Sequence, residues 1–305
     1  MCGIKSLSQV YKTSEQILFD DSSRIILMSD CHRGDGSWAD SFLKNQNIYF
    51  NALSYYFDEN YTYIELGDGD ELWENRDISR IMDQHSDSFW MLSRFVREGR
   101  AYFIFGNHDM EKKKYGFIKS NDQNRFSERK TEYISLFKNV KVHEGLILRH
   151  SVTGDKIFLV HGHQVDFLNY QLWILTRFLI RYFWRPLELF GVNDYSSTAD
   201  SSSRKAGVEK LLIQWVKRHN KMLISGHTHR PAFAKAGKPQ YFNDGSCVHL
   251  RCITGIEIAD GNIALVKWSV KTKDDGTLFI GRDVLEGPNK LKDYFDVNMY
   301  DLGLV

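Results

Sequence analysis

Residues 24–36 read RIILMSDCHRGDG. An apolar run, Arg24 to Ser29, stops at Asp30, a histidine two residues later, and the glycines Gly34 and Gly36. The run reads as a buried strand. Whether it ends in an ordinary turn or in a metal site decides the fold, because the same pattern recurs down the chain. Tyr61–Leu66 (YTYIEL), Ala101–Phe105 (AYFIF), Lys156–Val160 (KIFLV) and Met222–Ser225 (MLIS) are similar short runs. They are followed by Gly67-Asp68, Gly106-Asn107-His108-Asp109, His161-Gly162-His163 and Gly226-His227-Thr228-His229. In an open α/β sheet the carboxyl ends of the strands share one edge, so residues remote in sequence can meet there. A lone Asp or Gly-Asp after a strand is an ordinary turn or cap. Five such endings in chain order, two of them as specific as GNHD and GHTH, point to a metal centre.

Between the first three runs, SFLKNQNIYFNALSYYFDEN and SDSFWMLSRFVREG carry helical spacing, the second stopping at Gly99 as a glycine-capped helix does. Strand and helix alternate, which predicts an α/β fold. From Val140 the texture changes to hairpins around TGD, ADGN and KDDG, predicting a second, more antiparallel sheet. SSTADSSSRK, residues 196–205, reads as a mobile loop, and EKKKYG after GNHD as a solvated one.

With 305 residues, 42% hydrophobic and 26% charged, the composition is globular. Forty basic against 39 acidic residues leave a net charge of +1, so no overall field recruits nucleic acid, and no nucleic-acid partner is expected. The four cysteines form no CxxC pair, which suits a reduced, cytoplasmic thiol set. The first residues lack a signal-peptide core, and no stretch is apolar enough to span a membrane. Cys31 stands between two candidate ligands, and alternation along extended backbone points it away from them.

Asp30-x-His32, Gly67-Asp68-x-x-Glu71, Gly106-Asn107-His108-Asp109, His161 and Gly226-His227-x-His229 together resemble the signature of the calcineurin-like metallophosphoesterases, over residues 24–235. The resemblance implies a four-layer α/β/β/α sandwich with two divalent metal ions at the strand ends. One ion would take Asp30, His32 and His229, the other Asn107, His161 and His227, with Asp68 bridging. Two such ions can activate a bridging water and clamp the oxygens of an in-line phosphoryl displacement. Imidazole, carboxylate and amide donors suit Mn best, with Fe or Zn as alternatives, over Ca or Mg. His108, beside Asn107, is the candidate acid or phosphorane-stabilising group, with Asp109 to orient it. Arg33 is placed to hold a phosphate oxygen or to form a surface salt bridge, and His163 to stand behind the ligands or face substrate, or else to sit in a plain loop.

The chain is expected to be one metallophosphoesterase domain, 1–305, with a lid-like helical insert at 165–205. Within it, FLNYQLWILTRFLIRYFWRPLELFG, residues 167–191, repeats arginine every fourth residue at 177, 181 and 185 amid apolar side chains. Such a helix can line an acyl pocket, lie on an anionic bilayer, or pack into a core or dimer. An insert after the fourth-strand histidine, together with GHTHRPA at 226–232, resembles the UDP-2,3-diacylglucosamine hydrolases, peripheral membrane pyrophosphatases. That resemblance implies a nucleotide-linked lipid substrate, Arg177 and Arg181 near its diphosphate or headgroups, and a place at the inner membrane surface. His108 departs from that branch, which has an arginine there. The remaining readings are a phosphomonoesterase or protein phosphatase, and a binding module that keeps the fold without activity.

Overall fold

The computed structural model describes residues 2–114, 124–127, 132–135, 140–184 and 197–295. In chain order its strands are β1 (Glu15–Phe19), β2 (Ile25–Met28), β3 (Thr62–Leu66), β4 (Ala101–Ile104), β5 (Asn124–Ser127), β6 (Glu132–Ser135) and β7 (Val142–His143). They continue as β8 (Gly145–His150), β9 (Lys156–Val160), β10 (Met222–Ser225), β11 (Tyr241–Asn243), β12 (Cys252–Ala259), β13 (Asn262–Thr272) and β14 (Leu278–Lys290). One sheet runs β14-β13-β12-β2-β3-β4-β7, another β1-β8-β9-β10-β11, and β5 pairs with β6.

Alternation along each strand builds the layers. Ile25 and Leu27 of β2 point between the two sheets, where they join Ile64, Leu66, Leu146, Leu148, Ile157, Leu159, Met222 and Ile224. Ile26 and Met28 point the other way, against Tyr49, Leu53 and Tyr56 of helix Gln46–Asp58 and Leu92 and Phe95 of helix Ser86–Arg97. On the far side, Ile147, Phe158, Val160 and Leu223 pack on Leu7 and Val10 of helix Cys2–Thr13 and on Val208, Leu212 and Trp215 of helix Ser197–His219. Helix, sheet, sheet, helix is the four-layer α/β arrangement expected. Strands buried on both faces explain the uninterrupted apolar runs.

Three expectations change. The second sheet is present and holds the antiparallel pair β8–β9 of the TGD hairpin, but the ADGN and KDDG hairpins are not in it: β12 pairs with β2, Ile256 opposite Leu27 and Ile258 opposite Ile25, and so extends the first sheet. β10 joins β9 in parallel, so the five motif strands are split three and two between the sheets. The serine-rich stretch is not a loop: it opens helix Ser197–His219, whose spaced Val208, Leu212, Trp215 and Val216 are buried and anchor the turns before them. Nor is EKKKYG wholly solvated. Its Lys112 lies in a helical turn, Met110–Lys113, nearly buried and 2.7 Å from both Asp70 and Asp109; residues 115 and 116 lie outside the described residues.

The stretch 167–191 is not one helix either. It forms short pieces, Phe167–Tyr170, Trp173–Leu179 and a π-helical turn Ile180–Trp184, and 185–191 lie outside the described residues. No residue of Trp173–Leu179 is buried, and Ile174, Phe178 and Phe183 are 61, 50 and 61% exposed, so this segment is not a core helix.

Candidate metal centre

The loops after β2, β3 and β4 meet those after β9 and β10 where the two sheets' strands end. Backbone bonds lock them together: the Asp30 and His32 amides donate to the Gly67 and Asp68 carbonyls at 3.0 and 2.9 Å, and the Gly226 amide to the His161 carbonyl at 3.1 Å. Approach is close enough to demand glycine. A Cβ on Gly106 would lie 2.1 Å from Asp68 Oδ1, and one on Gly67, at φ +96°, would lie 2.6 Å from His161 Nδ1. Asp30, His32, Asp68, His227 and His229 all have positive φ, between 47 and 68°. This conformation is unfavourable for non-glycine residues, and its concentration at the candidate ligands marks a site where the surroundings hold strained backbone.

Two groups of side chains converge there. Asp30, His32 and His229 present donor atoms within 4.8 Å of one another, as do Asp68, His161 and His227. His229 Nε2 lies 3.0 Å from Asp30 Oδ1 and 3.3 Å from His32 Nε2. Asp68 Oδ2 stands between the groups, 3.1 Å from His161 Nε2 and 3.9 Å from His32 Nε2. The other carboxylate oxygens are engaged: Asp68 Oδ1 accepts the His108 amide at 2.7 Å, and Asp30 Oδ2 accepts the His227 amide at 2.8 Å and the Ser29 hydroxyl at 2.7 Å. His161 Nδ1 bonds the Leu66 carbonyl at 2.7 Å, fixing the ring so that Nε2 faces inward.

This donor set fits a pair of divalent ions. Asn107 Oδ1 is buried without a hydrogen-bond partner, and Asp30 Oδ1 and His161 Nε2, equally buried, meet only the imidazole or carboxylate of a neighbouring candidate ligand. A buried polar atom left unpaired costs about 1–3 kcal/mol, which a coordinated cation would relieve. Burial opposes ionisation of Asp30, yet His229 and His161 hold its carboxyl well below the usual range. Burial likewise opposes the charge on His161, but Asp68 and Asp30 raise its pKa to about 9. Anionic oxygens thus stabilise the protonated rings of His32 and His161, while burial lowers the pKa of His227 and His229 and favours their neutral, ligating form.

His108 borders the cleft with Trp73 stacked on it, ring centroids 4.2 Å apart. Its Nδ1 meets Glu71 Oε1 at 2.8 Å, and the same carboxylate's Oε2 meets His32 Nδ1 at 2.9 Å. Burial opposes its charge, but His108 and His32 hold Glu71 down at about 2. Here the expectation for Asp109 fails: its carboxylate accepts the Gly69 and Gly106 amides at 3.1 and 2.6 Å and pairs with Lys112. Asp109 therefore shapes the loops beneath the site, and Glu71 orients His108. Glu71 stood in the motif, three residues after Asp68, so its spacing was a usable signal.

Arg33 also departs from expectation. It faces neither phosphate nor solvent but is buried with Cys31 on the opposite side of the chain from Asp30 and His32, bonded to Glu65 at 2.9 Å and Asp70 at 2.7 Å. The alternation that turns Cys31 from the metals turns Arg33 with it. His163 is fully buried behind His161, its ring 5.4 Å away, and does not line the cleft, so it is not substrate-facing. Burial and its histidine neighbours hold its pKa well below the usual value. Arg177 pairs with Glu111, and Arg181 donates to the Leu72 and Trp73 carbonyls; both anchor the insert and neither lines the cleft.

The cleft, about 350 Å³, brings in residues that no motif marks: Glu74, Asp166, Asn169, Arg204 and Lys205. Asp166 receives Arg204 and stands 3.5 Å from His227 Nε2. Lys205 makes no ion pair among the described residues, and burial lowers its pKa. Asp244 is a further surprise: Ser29 Oγ lies 2.7 Å from both its Oδ1 and Asp30 Oδ2. Burial and the charge on Asp30 push the Asp244 carboxyl well up, so it can donate through Ser29 to Asp30 as a neutral acid.

The chain belongs to the calcineurin-like phosphoesterase family, whose sequence profile matches residues 23–231. No curated protein matches it. Among solved structures it is similar to Vps29 of Chaetomium thermophilum, at 10% identity over 87% of this chain and 97% of that one, with a TM-score of 0.37. So distant a likeness has no bearing on function.

Proposed function

We propose that this protein is a dinuclear metal-dependent phosphohydrolase that cleaves a phosphodiester or pyrophosphate, and that its substrate is lipid-linked. The observation that carries the hydrolase reading is the meeting of two donor groups around Asp68, with buried Asp30 Oδ1 and His161 Nε2 and the buried, unpaired Asn107 Oδ1 among them. Asp30, His32 and His229 would hold one ion, Asn107, His161 and His227 the other, and Asp68 both; Mn suits the donors best. Bound there, the pair would supply Lewis acidity to a water and to the phosphoryl oxygens.

The chain's own residues supply the rest. With Nδ1 held by Glu71 and its face by Trp73, His108 presents Nε2 for the leaving oxygen and can give it a proton. Lys205, unpaired at the cleft wall, is placed to meet a phosphate oxygen, a task the sequence had assigned to Arg33.

Supporting the lipid-linked reading is the exposed apolar side of the insert, held beside the cleft by Arg181 on the carbonyl of Trp73, which itself stacks on His108. No helix of the described residues is long and apolar enough to cross a membrane; the contact proposed here is peripheral, through the apolar side of the insert, at the inner membrane surface. The test is a substrate panel with Mn, Zn and Mg added separately: UDP-2,3-diacylglucosamine, CDP-alcohols, dinucleotides, a phosphodiester and a phosphomonoester. Preference for the acylated UDP-sugar with release of UMP supports the full proposal. Activity confined to soluble diesters removes the lipid, and preference for the monoester replaces the proposal by a phosphomonoesterase.

A further inference from the structure

The helical insert leaves the core at Asp166 and the chain returns at Arg204, and these two residues meet. Arg204 grips the carboxylate with two nitrogens, Nε at 3.2 Å and Nη2 at 3.0 Å from Oδ2, with Nη2 also 3.1 Å from Oδ1. Asn169 Nδ2 donates to the same carboxylate at 3.0 Å. On its other side Asp166 Oδ2 stands 3.5 Å from Nε2 of His227, a candidate ligand whose imidazole is nearly buried. The Asp166 carboxylate is itself only 7% exposed, so its orientation is set by these partners and not by water.

An imidazole that binds a metal through one nitrogen is oriented by whatever its other nitrogen bonds, and loss of that outer partner typically weakens the metal by about 10–100-fold. Resting on the dinuclear reading above, we infer that Arg204 and Asp166 form a positioning clamp that fixes His227 for the second metal ion while stapling together the two ends of the insert. Half-exposed Arg204 contributes little as a charge alone. What it contributes is geometry: a planar fork that holds one carboxylate rotamer. The metal centre and the base of the insert are thus one construction, and sequence reading separates them only because Asp166 and Arg204 lie 38 residues apart.

The test titrates metal-free wild type, Arg204→Met, Arg204→Lys and Asp166→Asn with Mn(II) alone and follows the electron paramagnetic resonance spectrum. Wild type is expected to take up a pair of ions and show the broad spectrum of exchange-coupled Mn. Arg204→Met should bind the first ion as wild type does and the second about 10–100-fold more weakly, keeping the hyperfine spectrum of an isolated ion at stoichiometric metal. Arg204→Lys, which keeps the charge but not the fork, should fall between. Asp166→Asn, close in shape to the native side chain, should repeat the selective loss even if Arg204→Met folds poorly. A wild-type coupled spectrum and second-ion affinity in Arg204→Met or Asp166→Asn would overturn the clamp and leave the dinuclear reading standing. Failure of wild type itself to bind a coupled pair would overturn the reading on which the clamp rests.

Discussion

Glu71 serves two histidines at once: His108 Nδ1 lies 2.8 and 2.7 Å from its two oxygens, and His32 Nδ1 lies 2.9 Å from Oε2. Glu71→Gln keeps the shape and removes the charge, so His108 and His32 lose the carboxylate that orients their rings. At saturating Mn, kcat for a diester should fall by about 10²-fold, the low end of what a positioned acid contributes. An unchanged kcat would remove His108 and Glu71 from the chemistry. Protons compete with metal at the same place. The pKa of His161 is raised to about 9 in the metal-free protein, above the 6.5 of a free imidazole. Its proton therefore stabilises the metal-free fold fully below pH 6.5, and that contribution fades as pH rises through about 9. A metal ion must displace the proton, so Mn affinity should climb across that window and binding should release protons. Calorimetry near neutral pH in buffers of different ionisation heat reads this directly; equal heats would contradict it. Residue identity was enough to find the candidate ligands, because carboxylate and imidazole after each strand have few other uses in concert. It could not find Asp166 or Lys205, whose tasks come only from the helix that carries Arg204 and Lys205 back over the cleft.

Elements separate residues that the linear pattern groups together. Arg33 follows a candidate ligand in sequence but lies on the other side of the extended chain, in a buried network with Glu65, Asp70, Lys112 and Asp109. Removing one partner of a buried ion pair leaves uncompensated charge, so Arg33→Met should cost about 3–5 kcal/mol in denaturant unfolding of the metal-free protein. A loss below 1 kcal/mol would mean that the network is solvated after all. By contrast Phe178→Ser, on the exposed side of the insert, should change stability by less than about 0.5 kcal/mol. Strands and the two major helices between them were readable because period 2 and period 3.6 are strong signals in runs of this length. The insert was not: its apolar residues suggest burial, and only the fold shows that nothing in the described chain covers them.

At the scale of the whole molecule, two sheets meet at the ends of strands that carry ligands from both. The α/β class and a second sheet were legible from alternation and the change to hairpins, but which hairpins join which sheet was not, since strand pairing is set by tertiary contact and not by local pattern. The same geometry sets an exposed apolar, aromatic-rich surface next to the candidate cleft. Sedimentation with anionic vesicles should carry the wild type into the pellet and leave the double variant Phe178→Ser/Leu179→Ser in the supernatant; equal recovery of the two would separate the insert from any membrane role. The central claim is the metal pair itself. Titrating chelator-stripped protein with Mn while following hydrolysis of bis-p-nitrophenyl phosphate tests it most directly. The stripped protein should show no turnover, and activity should saturate at about two ions per chain; full turnover without metal, or none with both ions bound, would rule the metal pair out.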